Sequence, residues 1–307
     1  MSTCPACASL VSESSLEELC PPYRLLRCAS CDLVFTDPMP SVEGEWYAKE
    51  VMYVIRNQFM DDALLWNHRQ FIQDLPVRGG RLLDVGCGRG QFLAEAQRIG
   101  YRIAGLDFDQ EAVQVARERF GLHNLFAGDL DTFRARRADE PFDVATAFEV
   151  LEHNPAPREF LRALASCLVP GGFLALSVPN RERWPAFRYD WDLPPHHLTR
   201  WSQTALLGLL DRVGFTVRRV AKGWPQGEPF LHQHLRMGVV GRLLKRGRPR
   251  DAAIEAIHDT GAIRLASAAF RVKDAAIKVL KVPLNLALRL SGETGMDLYV
   301  LAQRADR

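Results

Sequence analysis

Arg81-Leu82-Leu83-Asp84-Val85-Gly86-Cys87-Gly88-Arg89-Gly90 reads as a buried strand that ends on an acid and breaks into a glycine turn, with a helix from Gln91. Gly86, Gly88 and Gly90 alternate as G-x-G-x-G. Without side chains there, the backbone turns tightly and a ligand can lie against it. The helix behind the turn presents free N–H groups and a partial positive charge. A nucleotide-like ligand carrying a carboxylate suits that end. The spacing differs from the G-x-G-x-x-G of dinucleotide binders, whose third glycine falls one residue later.

Outward from this turn the same grammar repeats. Tyr101–Asp107 is a second strand ending on an acid, and Asp107 lies 21 residues after Gly86, where a nucleotide-binding βαβ unit carries its ribose carboxylate. A short strand over 124–127 leads to Gly128-Asp129. Phe142–Phe148 is a fourth strand and runs into Glu149-Val150-Leu151-Glu152-His153. A helix over 157–168 follows, then a Val169-Pro170-Gly171-Gly172 turn into a strand over 173–180. Phe215–Val220 should pair with Asp297–Arg304 as an antiparallel final hairpin.

The ordered set of glycine turn, second acid, E-V-L-E-H run and L-x-P-G-G turn resembles the class I S-adenosylmethionine-dependent methyltransferases over about residues 66 to 220. The resemblance implies an α/β fold with a Rossmann-like seven-stranded sheet and helices on both faces. It implies S-adenosylmethionine as methyl donor, contacted by Asp84, Gly86, Cys87, Gly88, Gly90, Asp107, Phe108, Asp129, Phe148 and Glu149. Asp107 would hold the ribose hydroxyls, Phe108 would flank the adenine and Asp129 would contact it. Asp129 also reads as a simple turn or helix cap.

After the fifth strand, residues 184 to 202 are dense in aromatics and prolines and hold Pro194-Pro195-His196-His197-Leu198. Related methyltransferases carry a P-P-x-H-L-type loop here, facing the methyl donor. Imidazole titrates near neutrality, so it can take a proton from an attacking hydroxyl. His197 aligns with the family's histidine; His196 and His153 are its competitors. Either loop histidine could instead only fix the loop. Asn154-Pro155-Ala156-Pro157 lacks the aromatic of the D/N-P-P-[YF] motif of amide and base N-methylation. That favours oxygen as the acceptor and leaves carbon open.

The N-terminus carries a separate message. Cys4-Pro5-Ala6-Cys7 and Cys28-Ala29-Ser30-Cys31 are two C-x2-C pairs, the spacing of a four-thiolate structural zinc site with each pair on a tight knuckle. The other readings are a redox dithiol pair or a segment that has lost its metal. About 35 residues bury too little surface to fold alone, and zinc would supply the missing stability. Zinc ribbons joined to this methyltransferase type resemble a bacterial small-molecule and sugar O-methyltransferase subgroup.

The reading is a zinc ribbon over 1–40, a helical lid or linker over 41–75, a methyltransferase domain over 76–223 and 296–307, and a basic helical insertion over 224–295. The lid segment is rich in Trp46, Tyr47, Tyr53, Phe59, Trp66 and Phe71; in related enzymes such a segment closes over cofactor and substrate, and the alternative is a helix packed on the sheet. From Arg236 to Arg289 the insertion holds twelve Arg or Lys against four Asp or Glu. It could rest on an anionic membrane or grip a phosphorylated or lipid-linked substrate; a helical cap with a solvated basic face or a dimer interface fits as well.

A 307-residue chain can bury a full core, and its formal net charge of +2 names no partner. The first residues lack a signal-peptide pattern, and no apolar run approaches ~20 residues. A cytoplasmic location is expected, peripheral to the inner membrane face if the basic insertion rests on an anionic surface, with a small-molecule acceptor and no nucleic acid. Residues 1–34 hold only Arg24 and Arg27 against Glu13, Glu17, Glu18 and Asp32, which disfavours RNA. A protein or RNA methyltransferase using the ribbon for recognition, and a non-catalytic binding module, are the rivals.

Overall fold

The computed structural model describes residues 1–40, 63–136, 141–183, 192–223, 283 and 295–306. Met1–Gly223 and Met296–Arg307 form one compact unit, and Trp224–Gly295 fall in a second. The expected basic insertion, the aromatics of 41–62 and the Trp184–Trp191 part of the aromatic loop over 184–202 lie outside the described residues.

The chain opens with short strands β1 (Ser2–Thr3) and β2 (Leu10–Val11), followed by β3 (Leu16–Cys20), β4 (Tyr23–Arg27) and β5 (Val34–Asp37). Helix α1 (Trp66–Asp74) leads into the α/β part: β6 (Gly80–Val85), α2 (Gln91–Arg98), β7 (Tyr101–Asp107), α3 (Gln110–Phe120), β8 (Leu125–Ala127), α4 (Leu130–Arg136), β9 (Phe142–Phe148), α5 (Pro157–Cys167) and β10 (Leu168–Pro179). Then come β11 (Thr199–Arg200), α6 (Gln203–Arg212), β12 (Phe215–Gly223) and β13 (Asp297–Arg304).

The main sheet has seven strands in the order β12-β13-β10-β9-β6-β7-β8. β10, β9, β6, β7 and β8 run parallel, and β13 is antiparallel to both its neighbours. The expected final hairpin is present in full. Successive side chains on a strand face opposite ways. Accordingly Leu83, Val85, Ala145 and Ala147 enter one core cluster, while Leu82, Val144 and Phe148 enter the other. Such two-sided burial is why these strands read as near-continuous apolar runs.

Local chemistry sets the helix ends. Asp109 caps α3 by accepting from the N–H groups of Glu111 and Ala112, at 2.9 and 3.1 Å, and Gly121 stops the helix in a left-handed conformation. The described part of the lid segment, α1, packs on the sheet. Phe71 is buried against Phe92, Tyr101 and Phe148, and Trp66 lies edge-on to Tyr299.

The structure differs from the sequence reading at β10. The Val169–Gly172 turn does not precede the strand but bulges within it. Leu168 already pairs with Phe142, and the register resumes at Phe173 opposite Val144. Gly171, at φ 73°, allows the bulge, and Gln303 closes it by donating to the Gly171 carbonyl at 2.8 Å.

The larger departure concerns the N-terminal strands. β3, β4 and β5 are joined by β11, a strand that follows β10 in the chain, in the order β11-β5-β4-β3. Thr199 stands opposite Phe35 and Arg200 opposite Val34, and the Thr36 N–H donates to the Leu198 carbonyl at 2.9 Å. Leu26, Leu33 and Phe35 share one core cluster with Trp201, Leu206 and Leu209. Burial of each large side chain there contributes roughly 1.5–3 kcal/mol. The N-terminal strands thus draw stability from a core shared with Trp201 and α6.

Candidate functional site

β6, β7, β9 and β10 all end at one edge of the sheet, the edge at which open α/β folds bind ligands. The glycine turn lies there between β6 and α2. Gly86, Gly88 and Gly90 have φ of 77°, 49° and 81°. A Cβ on Gly86 would stand 2.4 Å from Val150 Cγ2, so glycine is required both by conformation and by the approach of the run after β9. The N–H groups of Gly86 and Cys87 both donate to the Leu106 carbonyl, at 2.8 and 3.0 Å.

Asp107 closes this arrangement from β7. Its Oδ2 accepts from the Gly88 N–H at 2.8 Å and its Oδ1 from the Asp109 N–H at 2.9 Å. The carboxylate is thereby aimed and held. Phe108 beside it is 55% exposed, a large apolar ring facing solvent at the ligand edge. Asp129 caps α4: its oxygens accept from the Thr132 N–H at 2.7 Å and the Thr132 hydroxyl at 2.9 Å. The cap reading of that acid therefore describes its present contacts. The Phe148 ring turns into the core, stacked on Tyr299 and edge-on to Phe92.

Asp84 is buried, and its Oδ1 accepts from the Thr146 hydroxyl at 2.6 Å. Burial pushes its carboxyl up to about 7, against the Thr146 hydrogen bond and with the Asp107 charge adding to the rise. Between the ordinary value of 3.8 and about 7, the folded protein holds a proton that the unfolded chain releases. Stability from this group is therefore full below pH 3.8 and falls as pH rises toward 7. Asp84→Asn is expected to melt with a flatter pH dependence than the wild type between pH 5.5 and pH 8, about a few degrees flatter in thermal scans.

On the other side of the turn, Glu149 follows β9 with φ 56°, a left-handed conformation unusual for glutamate. Its N–H donates to the Ser177 carbonyl at 3.0 Å, and its Oε1 accepts from the Ser177 hydroxyl at 2.6 Å. Asn67 of α1 donates to the same hydroxyl at 2.8 Å. This chain of hydrogen bonds holds the strained backbone in place.

The three candidate histidines lie together. The His153 and His197 rings are 4.9 Å apart and nearly perpendicular. The His196 carbonyl lies 2.8 Å from His153 Nδ1; a carbonyl only accepts, so Nδ1 carries the proton. His196 thus contributes its backbone to the cluster. The Leu198 N–H donates to the Glu152 carbonyl at 2.8 Å, tying the loop to the E-V-L-E-H run.

Two residues of this cluster escaped the sequence reading of the site. Asp192 is buried, pairs with Arg183, and places Oδ1 3.6 Å from His197 Nδ1. Glu152 is buried with Oε1 3.8 Å from His153 Nε2. Glu152, His153 and His197 each bring one ligand atom within 4.8 Å of the others, a set that suits a divalent cation. The sequence signal for Asp192 was an acid next to Trp191 in a proline-bounded loop.

The four cysteines of the ribbon converge. Cys4 Sγ lies 3.6 Å from Cys31 Sγ, and Cys7 Sγ 3.5 Å from Cys28 Sγ. All four sulfurs fall within 4.8 Å of one another. Tetrahedral zinc at ~2.3 Å from each thiolate separates the sulfurs by about 3.8 Å, so the cage fits that ion. The short contacts run between the two C-x2-C pairs, unlike a redox dithiol, which pairs within one. The knuckles share one geometry: the Ala8 N–H donates to the Cys4 carbonyl at 2.9 Å, and the Asp32 N–H to the Cys28 carbonyl at 2.8 Å. Ala8 and Asp32, each four residues after its cysteine, have φ of 62° and 66°.

The family model described as "Methyltransferase domain" matches residues 57–220, more than half of the chain. This chain belongs to that family, the class I S-adenosylmethionine-dependent methyltransferases. It is 41% identical over 114 residues to a ubiquinone biosynthesis O-methyltransferase of Xanthomonas euvesicatoria, covering 35% of this chain and 46% of the relative. The match thus spans less than half the length of that relative. Among solved structures, a phosphoethanolamine N-methyltransferase 2 of Haemonchus contortus superposes with a TM-score of 0.55 at 14% identity, over 89% of this chain and 63% of that one. The cyclase SpnF superposes with a TM-score of 0.51 at 20% identity, over 85% and 95%. At such identities these two likenesses concern the fold alone. Among the described residues, no helix is long and apolar enough to cross a membrane.

Proposed function

We propose that this protein transfers the methyl group of S-adenosylmethionine to a hydroxyl of a small molecule. The observation that carries the reading is the glycine turn pinned by Asp107, standing at the same sheet edge as the His153–His197 pair. The Gly86–Gly90 loop and the α2 N-terminus would hold the donor's amino-acid part, and Asp107 its ribose. The donor supplies an activated methyl group, so the protein's task is largely alignment. His197, oriented by Asp192, takes the acceptor's proton as the oxygen–methyl bond forms and the carbon–sulfur bond breaks. A relative named as an O-methyltransferase supports oxygen as the acceptor atom. A sugar, nucleotide-linked sugar or lipid-linked glycan is the narrower acceptor class we favour, in a cytoplasmic protein whose basic 224–295 segment touches an anionic surface or phosphate. Zinc at Cys4, Cys7, Cys28 and Cys31 completes the ribbon.

Isothermal titration with S-adenosylmethionine and S-adenosylhomocysteine tests the reading: micromolar binding of both is expected, and no binding by folded, zinc-containing protein overturns it. With an acceptor found by radiolabelled methyl transfer, His197→Gln is expected to slow turnover ~10²- to 10⁴-fold while cofactor affinity stays constant. Full turnover would move the base elsewhere.

A second reading has its own observation, the convergence of Glu152, His153 and His197. A divalent cation there would polarise the acceptor oxygen and leave His197 no role as base. A weak chelator that leaves ribbon zinc in place separates the two: only the cation reading loses turnover.

A further inference from the structure

The acceptor loop leaves the sheet after Asn180 and returns at Trp201, and its two ends meet. The Arg181 N–H donates to the Trp201 carbonyl at 2.8 Å, and Asn180 bridges Trp201. The side chain that fastens both ends belongs to the ribbon. Asp32 Oδ2 accepts from Arg181 Nη2 at 2.5 Å and from the Ser202 hydroxyl at 2.5 Å. Its Oδ1 accepts from Arg27 Nε at 2.8 Å. The Ser202 hydroxyl also accepts from the Ala205 N–H at 3.2 Å, so the same contact seats the N-cap of α6. Charge-assisted hydrogen bonds of this kind are about twice as strong as neutral ones.

Asp32 is at the same time a structural part of the second cysteine knuckle. The knuckle does not require an acid there, because Ala8 holds the equivalent place in the first with the same backbone geometry. The carboxylate therefore serves contacts outside the knuckle: Oδ1 holds Arg27, and Oδ2 holds both ends of the loop. Between the two anchors lie His196, His197 and Asp192, and beyond them β11 completes the ribbon's sheet.

We propose that Asp32 is a positioning residue: through it the metal-loaded ribbon fastens Arg181 to Ser202 and, with them, the described 192–202 segment that carries His197. Its consequence for turnover rests on the methyl-transfer reading above; the clamp itself does not.

Asp32→Ala gives the second knuckle the residue of the first, so it is expected to fold and keep one zinc per chain. Hydrogen–deuterium exchange of a peptide covering 192–202 should quicken about tenfold, while a peptide covering 81–91 stays unchanged. The imidazole ¹⁵N resonances of His153 and His197 should shift, and Asp32→Asn, which keeps one acceptor oxygen, should restore them in part. S-adenosylhomocysteine affinity should remain within about twofold of wild type, since the glycine turn is untouched. Arg181→Gln attacks the clamp from the loop side without touching the knuckle, and should reproduce the exchange and resonance changes at full zinc occupancy. Stripping zinc from wild-type protein should loosen 192–202 in the same way. Unchanged exchange and unchanged imidazole signals in Arg181→Gln, or in zinc-free wild type, would overturn the clamp. Wild-type protein that binds no S-adenosylhomocysteine yet shows the exchange changes would overturn the methyl-transfer reading and leave the clamp standing.

Discussion

Asp107→Ala is expected to weaken S-adenosylmethionine binding at least ~100-fold, from two causes that act together. A ribose diol donating to a carboxylate makes charge-assisted hydrogen bonds, each contributing roughly 1.5–3 kcal/mol. The same carboxylate holds the Gly88 and Asp109 N–H groups, so its loss also frees the glycine turn and the entry to α3. Calorimetry separates the causes. Asp107→Asn keeps an acceptor oxygen near the Gly88 N–H but loses the charge, and should fall between wild type and alanine. Asp129→Ala is the contrasting case. That acid is engaged in capping α4, so its removal should cost about 1 kcal/mol of stability and shift affinity far less. Unchanged affinity in Asp107→Ala would remove the ribose assignment and leave Asp107 as a brace of the turn.

Legibility in the sequence followed the range of the forces involved. Strands β7, β9 and β13 lie where the apolar runs and their terminal acids place them, because burial on both faces writes itself into consecutive residues. The start of α2 was equally plain, since Gly90 must adopt φ 81° to turn into it. The β10 bulge was misplaced because a Pro-Gly-Gly stretch reads as a terminator, whereas here the strand resumes beyond it. What could not be read was contact between distant segments. Asp32 meets Arg181 and Ser202 across separations of 149 and 170 residues, and no local pattern marks such a pair. Asp192 belongs to the same class, as its place beside His197 follows from how the loop closes. The histidine pair was recognisable as chemistry by residue type, but its perpendicular packing and the His196 carbonyl contact are products of the folded loop.

Cys4→Ser combined with Cys31→Ser should empty the ribbon's metal site and lower the melting temperature by roughly 10 °C or more. Cys4 and Cys31 form one of the two short sulfur contacts, so the double change removes one edge of the cage and leaves two thiolates, too few for a closed structural site. Metal binding in such segments is folding free energy, and its loss is felt wherever the segment is packed. Here Leu26, Leu33 and Phe35 lie in the core cluster of Trp201 and α6, and β5 pairs with β11, so the damage should not stop at residue 40. A free-standing ribbon would melt separately and leave the main transition where it was. A ribbon that shares its core with Trp201 and α6 should instead lower the main transition itself. Zinc measured by atomic emission alongside the thermal scan decides the matter: full zinc in the double variant ends the four-thiolate assignment, and zinc loss with an unmoved main transition would mean that the shared core, not the metal, holds β5 against β11.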